Sequence, residues 1–89
     1  MIEMWAKITG NVQGIGFRAT TLRAARELDL KGYVRNTPEG AVEIIAQGKK
    51  EQCEELLNHL ENTFKEPYIQ SIDATLRDPT SRFTHFSIM

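Results

Sequence analysis

Residues 2–30 read IEMWAKITGNVQGIGFRATTLRAARELDL, and the order of patterns in this stretch decides how the chain begins to fold. From Ile2 to Thr9 apolar and polar side chains alternate, which predicts a β-strand with one buried face. From about Arg18 to Leu30 apolar residues recur at helical spacing, which predicts an amphipathic helix. The apolar residues of that helix are Leu22, Ala25 and Leu28. The glycine-rich segment between the two patterns must therefore turn the chain from strand to helix.

A β-hairpin is predicted after this first helix, which Lys31-Gly32 ends. The short run Tyr33–Arg35 and the alternating run Ala41–Gln47 both have strand character. Between them, Thr37–Gly40 has the Pro-then-Gly order that favours a turn. The two runs therefore pair as neighbouring antiparallel strands.

The second half of the chain repeats the order of helix and strand. Residues from about Lys50 to Asn62 carry an apolar stripe with the spacing i, i+3, i+4, i+7, which predicts a second helix. The stripe consists of Cys53, Leu56, Leu57 and Leu60. Pro67 ends this region, residues 72–77 alternate as a fourth strand, and residues 84–88 form a short final strand after a loop at residues 78–81.

The predicted order β-α-β-β-α-β, with a short closing strand, indicates the fold class. It is that of an α+β protein with the ferredoxin-like split β-α-β sandwich, in which two helices cover one face of a mainly antiparallel sheet. Residues 1–89 are expected to form one domain, since the sequence contains no linker, repeat or low-complexity segment. This fold hosts many unrelated functions, so the function must be argued from a site.

Composition narrows the classes of function. The formal net charge of -1 argues against nucleic acid or an anionic membrane surface as the main partner. The single cysteine cannot form an internal disulfide. No apolar run reaches transmembrane length and the N-terminus lacks a signal-peptide pattern. We therefore expect a cytoplasmic protein, with a monomer as the default state.

The segment Gly10–Arg18 is the strongest candidate for a binding site. Its three glycines let backbone N–H groups turn inward around a bound group, which β-carbons would often obstruct. A helix N-terminus is already partially positive, so an arginine there is unfavourable unless an anion occupies the loop. The alternative is a tight turn followed by a surface arginine whose stem covers apolar residues. Loop and arginine together favour an anion site, for phosphate.

Asn36, at the end of the second predicted strand, is a second candidate. An asparagine before Thr-Pro-x-Gly is also a good turn former, so a purely structural role is an open alternative. In the predicted fold its side chain can reach towards the glycine loop across the sheet edge. There an amide can hold a water molecule, because it donates and accepts hydrogen bonds at once.

Both motifs together resemble the acylphosphatases. The matching residues are Gly10-x-Val12-Gln13-Gly14-x-Gly16-Phe17-Arg18, then Gly32-Tyr33-Val34-Arg35-Asn36 and Gly40-x-Val42-Glu43. The resemblance covers essentially the whole chain and returns at Phe86-x-Ile88. It implies a small enzyme that hydrolyses the carboxyl–phosphate bond of acyl phosphates without a cofactor or metal. A small-molecule acyl phosphate would then be the partner.

The resemblance also implies roles for individual residues. Arg18 would bind the substrate phosphate, Asn36 would orient the attacking water, and Thr37 would support Asn36. Backbone amides of the loop would help to hold the phosphate; these belong to Asn11, Val12, Gln13, Gly14, Ile15, Gly16 and Phe17. The chain departs from the family where Asn11 replaces a common arginine and Ala19 a frequent aromatic, and both changes bear on substrate preference. The segment Thr63–Ser71 fits the family pattern poorly.

Three other functions stay open on the sequence. The same anion pocket would serve a non-catalytic metabolite sensor, although a sensor has no need of Asn36. An RNA-binding domain would need stacking aromatics on the first and third strands, where the sequence offers Trp5 alone. A stand-alone relative of the acylphosphatase-like domain in hydrogenase-maturation carbamoyltransferases would act on carbamoyl phosphate.

No metal site is predicted. His59 and His85 lie far apart in the sequence, so they do not suggest a shared metal site. Cys53, on the core face of the second helix, is predicted to be a small buried hydrophobe. Trp5 falls on the face of the first strand opposite the core, where it either shields the open sheet face or contacts a partner.

Overall fold

Strands and helices follow one another in the order that the sequence patterns predict. A computed structural model describes residues 1–65 and 67–89. Its elements are β1 (Ile2–Gly10), α1 (Phe17–Glu27), β2 (Lys31–Asn36), β3 (Val42–Gly48), α2 (Lys50–Thr63), β4 (Ile69–Arg77) and β5 (Phe86–Ile88). The order confirms the predicted β-α-β-β-α-β arrangement with a closing strand.

The strands form one sheet in the order β4-β1-β3-β2-β5. Strand β1 pairs antiparallel with β3 on one side and with β4 on the other. Strands β2 and β3 are the antiparallel hairpin, and β5 adds to β2 in the parallel direction. The predicted ferredoxin-like, mainly antiparallel fold is therefore confirmed, with β5 making the sheet mixed.

The core lies between the helices and one face of the sheet. Alternate residues of β1 (Met4, Ala6 and Ile8) are at most 1% exposed, as the period of two predicts. Three residues of the predicted α2 stripe, Cys53, Leu56 and Leu60, are fully buried, and Leu57 is partly buried against them. Neither helix of the described chain is long and apolar enough to span a membrane.

Helix α1 ends earlier than the apolar spacing predicts. It stops at Glu27, and the N–H of the capping residue Leu28 donates to the carbonyl oxygen of Ala24 at 3.0 Å. The predicted end at Leu30 is therefore wrong. The buried face consists of Phe17, Thr21, Ala24 and Ala25. Thr21 can be buried because its Oγ1 donates to the carbonyl oxygen of Phe17, at 2.8 Å.

Strand β4 does not bury one apolar face as the other strands do. Ile72 and Leu76 point to the helix side of the sheet, since their cross-strand partners are the core residues Ile8 and Met4. Nevertheless Leu76 is 42% exposed, because the helices do not cover this edge. Within the segment Thr63–Ser71, Thr63 ends α2 and Ile69–Ser71 begin β4, and residue 66 of the connection lies outside the described residues.

A polar cluster of two buried residues, Glu3 and Gln47, and the exposed Arg77 lies on the opposite face of the sheet. The two carboxylate oxygens of Glu3 accept from Gln47 Nε2 at 2.8 Å and from Arg77 Nε at 2.6 Å. Gln47 Nε2 also donates to the carbonyl oxygen of Ser81 at 2.6 Å, and its Oε1 accepts from the N–H of Phe83 at 3.1 Å. The cluster therefore holds the segment before β5 against this face.

Trp5 is engaged within its own chain on the same face. Its Nε1 donates to a carboxylate oxygen of Glu43 at 2.8 Å, and the other oxygen of Glu43 accepts from Arg35 Nε at 2.6 Å and from the Tyr33 hydroxyl at 3.3 Å. Burial by itself would raise the pKa of Glu43. The hydrogen bonds from Trp5 and Arg35, with the charge of Arg35, outweigh burial and lower that pKa below its ordinary value. Of the two roles left open for Trp5, these contacts favour shielding of the sheet face.

Candidate functional site

The glycine-rich loop between β1 and α1 forms one side of a small cavity. Gly14 and Gly16 both have a φ of 81°, in the left-handed region. A β-carbon built on either residue would meet no atom of the chain within 4 Å. Glycine is favoured at both positions because of the left-handed backbone conformation. Lack of space for a side chain within the chain is not a reason.

The N-terminus of α1 opens onto this loop. Gly16 is the capping residue, so no side chain caps the helix, and its first turn contains no acidic residue. The first N–H groups of a helix lack partners within the helix and carry its partial positive charge. Arg18, in the first turn, adds a full charge. This arrangement of amides and guanidinium is suited to binding an anion.

Arg18 and Asn36 share the cavity, although they come from different segments of the chain. The cavity has a volume of about 210 Å³ and is lined by Val12, Gly14, Gly16, Arg18, Ala19, Asn36 and Ile88. Asn11, Gln13, Ile15 and Phe17 were predicted to contribute loop amides and are not among its lining residues. The side chain of Phe17 packs in the core, with its ring centroid 4.8 Å from that of Phe64, and the role of its backbone amide stays a prediction.

The polar groups of the cavity lack partners within the described chain. Asn36 Oδ1 is buried, and no hydrogen-bond donor in residues 1–65 or 67–89 reaches it. Four other cations, Lys7, Lys31, Arg35 and Arg77, each pair with a carboxylate, whereas Arg18 takes part in no ion pair between described residues. A buried acceptor without a partner costs about 1–3 kcal/mol, so it calls for a ligand or water as its partner.

The side chain of Gln13 links the loop to the turn that follows Asn36. Its Nε2 donates to the carbonyl oxygens of Thr37 and Ala41, at 3.1 Å and 2.9 Å. Thr37 closes the turn, because its Oγ1 accepts from the N–H of Ala41 at 3.1 Å and its own N–H donates to the Ala41 carbonyl oxygen at 2.9 Å. Thr37 lies beside the cavity rather than in it, and Gln13 connects the two segments that carry Arg18 and Asn36.

Sequence reasoning missed Ile88 as a lining residue. Ile88 is opposite Val34 in the parallel pairing of β5 with β2, which brings it to the end of β2 that carries Asn36. The apolar pattern of the last residues predicts the strand but contains no signal for which neighbour it pairs with. Ala19, flagged as a departure from the family pattern, does line the cavity.

Other candidate groups lie outside this site. No three His, Cys, Asp or Glu side chains lie close enough to hold a metal ion in the part of the chain that the structure describes. Burial, and then the charge of Glu54, raises the pKa of the Cys53 thiol to about 11, so the prediction of a buried hydrophobe is confirmed. A larger groove of about 720 Å³ between α2 and β4 contains none of the predicted site residues.

A family model, curated relatives and solved structures all match this chain to the same family. The acylphosphatase family model matches residues 4–88. An acylphosphatase of Paenarthrobacter aurescens (strain TC1) is 38% identical over 88 residues, which are 99% of this chain and 94% of that protein. The crystal structure of acylphosphatase from Bacillus subtilis is similar with a TM-score of 0.92 and 28% identity, covering 100% of this chain and 99% of the other. HypF from T. kodakarensis matches with a TM-score of 0.83 and 30% identity, but this chain covers 12% of it.

Proposed function

This chain belongs to the acylphosphatase family, and we propose that Arg18 and Asn36 carry its reaction. The enzyme hydrolyses the carboxyl–phosphate bond of acyl phosphates to a carboxylate and inorganic phosphate. The observation that supports the assignment of residues is the buried, unpartnered Asn36 Oδ1 in the cavity that Arg18 also lines.

Arg18 and the loop would hold the phosphate. The guanidinium presents a fork of N–H donors to two phosphate oxygens, and the N–H groups at the start of α1 face the same anion. As charge develops on the phosphoryl group in the transition state, these fixed donors stabilise it. Because no carboxylate of the described chain pairs with Arg18, its charge is available to the substrate.

Asn36 would place the water. Its Oδ1 accepts a hydrogen bond from a water molecule, which leaves a lone pair of the water oxygen directed at phosphorus. The water oxygen forms a bond to phosphorus while the bond from phosphorus to the acyl oxygen breaks, and the carboxylate departs with the electron pair. A carboxylate whose acid has a pKa of about 4 departs unprotonated, so no general acid is required. The proton of the water passes to a phosphate oxygen, since asparagine cannot accept it as a base.

Arg18→Ala is the test of this assignment. We expect kcat/KM for benzoyl phosphate, measured with a metal chelator present, to fall by about 10²-fold or more because the main electrostatic contact is lost. Arg18→Lys should restore little, because a point charge lacks the guanidinium fork. Arg23→Ala, an exposed arginine on the same helix that does not line the cavity, is the matched control.

The result can also go against the proposal. Turnover in the Arg18→Ala enzyme equal to that of Arg23→Ala would remove Arg18 from the mechanism. Loss of wild-type turnover with chelator would show that a metal takes part. A kcat/KM profile controlled by an ionisation near pH ~7 would indicate an enzyme base and contradict proton transfer to phosphate.

We further propose that the enzyme acts as a cytoplasmic monomer without a nucleic-acid partner. Arg18 and Asn36 of the same chain line one cavity, which supports a reaction site within a single copy. The net charge of -1 provides no broad cationic surface for a nucleic acid. Equilibrium sedimentation at assay concentration would test the monomer, and a sedimenting dimer would contradict it.

A further inference from the structure

The mouth of the cavity is apolar. The exposed lining residues are Gly14, Gly16, Ala19 and Ile88, of which Ala19 and Ile88 (41% exposed) carry apolar side chains, whereas Val12 is 1% exposed. A substrate whose phosphate binds the loop amides and Arg18 therefore places its acyl part at the mouth, against Ala19 and Ile88.

The mouth has no partner for a charged acyl group. Of the seven residues that line the cavity, Arg18 is the one with a charge and Asn36 is the other polar side chain. In the proposed reaction both are engaged, by the phosphate and by the water. A second carboxylate on the substrate would find no counter-charge there, whereas an apolar acyl group would bury its surface against these side chains.

The size of the cavity limits the acyl group further. Its volume of about 210 Å³ is below the roughly 300–1,000 Å³ of sites that enclose drug-sized ligands. Once the phosphate is bound, only a small group such as a short aliphatic chain or one aromatic ring remains in contact with the walls.

Ile88 is a fixed part of this wall. Its backbone pairs with Val34 in the parallel ladder, and the N–H of the next residue, Met89, donates to the carbonyl oxygen of Val34 at 2.9 Å. Two residues earlier, Phe86 is 1% exposed and anchors β5 in the core. An exposed isoleucine held in this way offers a preformed apolar contact to a ligand.

We propose that Ile88 and Ala19 form the acyl-binding wall of the enzyme and select acyl phosphates with small, uncharged, apolar acyl groups. Benzoyl phosphate would be favoured over acetyl phosphate, and both over the dicarboxylic succinyl phosphate. This inference rests on the proposed function, because it takes the phosphate to be held at Arg18. Ile88 acts on specificity and takes no part in the bond-breaking step.

The experiment compares kcat/KM for these three substrates in the wild type, Ile88→Ala, Ile88→Lys and Leu76→Ala enzymes. Leu76 is the matched control, since it is a strand residue of the same exposure, 42%, that does not line the cavity. In Ile88→Ala we expect the benzoyl-to-acetyl ratio to fall by about tenfold, the size of effect that a few methyl or methylene groups produce in an apolar pocket. In Ile88→Lys the succinyl-to-acetyl ratio should rise, because the ammonium pairs with the second carboxylate.

Inhibition by inorganic phosphate separates this effect from misfolding. It reports the loop and Arg18, so it should change far less than the substrate ratios in both Ile88 variants, and Leu76→Ala should keep the wild-type ratios. Ratios that stay at wild-type values in both Ile88 variants, or that shift equally in Leu76→Ala, would overturn the acyl-binding wall while hydrolysis itself persists. Absence of hydrolysis of all three substrates by the wild type would overturn the proposed function and this inference with it.

Discussion

Each face of the sheet contains a charged side chain and an amide side chain in the same region. The two faces differ in whether the polar atoms of these side chains have partners within the chain. At the polar cluster on the open face, both oxygens of the Glu3 carboxylate and both ends of the Gln47 amide have partners within the chain. In the cavity on the helix side, Asn36 Oδ1 has none among the described residues, and Arg18 has no carboxylate partner there.

We propose that this difference separates polar groups that stabilise the fold from polar groups that serve the reaction. A buried hydrogen bond that is made stabilises the native state modestly, whereas a buried group left without a partner destabilises it. The contrast supports the proposal that Asn36 Oδ1 is available to water and substrate in the cavity. Substitutions on the two faces should affect different measured quantities.

Asn36→Ala should give the largest effect, and it should be on activity alone. We expect kcat for benzoyl phosphate to fall by more than about 10²-fold because the water is no longer positioned. The free energy of unfolding should stay the same or rise, since the substitution breaks no hydrogen bond between Asn36 Oδ1 and a described residue. Enzyme assay and urea unfolding are the two measurements.

Asn58→Ala, on the exposed surface of α2, is the control for that experiment. Binding of inorganic phosphate to the Asn36→Ala enzyme should be largely kept, because Arg18 and the loop remain. A large loss of phosphate affinity would show that Asn36 holds the phosphate instead of the water and would remove the water-positioning role.

Gln47→Leu should give the next largest effect, and it should be on stability. The change keeps the volume similar but leaves Glu3 Oε1, the carbonyl oxygen of Ser81 and the N–H of Phe83 without their partner. Each such group costs about 1–3 kcal/mol when it is shielded from water, so we expect the free energy of unfolding to fall by about 2 kcal/mol or more. Gln70→Leu, at an exposed position of β4, is the control in urea unfolding. A Gln47→Leu enzyme with wild-type stability but no activity would contradict the assignment of stability to one face of the sheet and of the reaction to the other.

Glu43→Gln should give the smallest effect, visible as a change in the pH dependence of stability. Because the pKa of Glu43 is lower in the folded chain than its ordinary value of 4.5, its ionised form stabilises the fold above that pH. This contribution, less than about 1 kcal/mol for a partly exposed pair, is lost as the pH falls through the folded pKa. Thermal unfolding between pH ~3 and ~7 should therefore show a steeper acid decline in the wild type than in Glu43→Gln. An identical loss of stability with falling pH in both proteins would mean that Arg35 and Trp5 do not stabilise the carboxylate. Glu55→Gln, at an exposed position of α2, is the control.

Local periodicity was enough to predict the elements whose side chains alternate strongly. The alternation in β1 and the stripe of α2 place Met4, Ile8 and Leu56 in the core, where the structure has them. In α1 the same reasoning was less accurate, because the buried face contains Thr21 and Ala24, which a search for large apolar residues passes over.

Features that depend on which strands become neighbours could not be predicted from local sequence. Leu76 is exposed because β4 is at the sheet edge, and Ile88 reaches the cavity because β5 pairs with β2. Burial of Gln47 likewise depends on the segment that crosses the open face. The candidate site was more accessible to sequence reasoning: the structure places Arg18 and Asn36 in one cavity, while their catalytic roles stay a prediction.

The contacts of Gln13 have a consequence for protein engineering. Because this side chain bonds to the turn after β2, the relative position of Arg18 and Asn36 depends on two segments that are separate in the sequence. We expect that grafting the glycine loop and Arg18 alone onto another scaffold would transfer anion binding without hydrolysis of the carboxyl–phosphate bond. The smallest transplantable unit includes the β2–β3 turn, with Thr37 and Ala41 to receive Gln13.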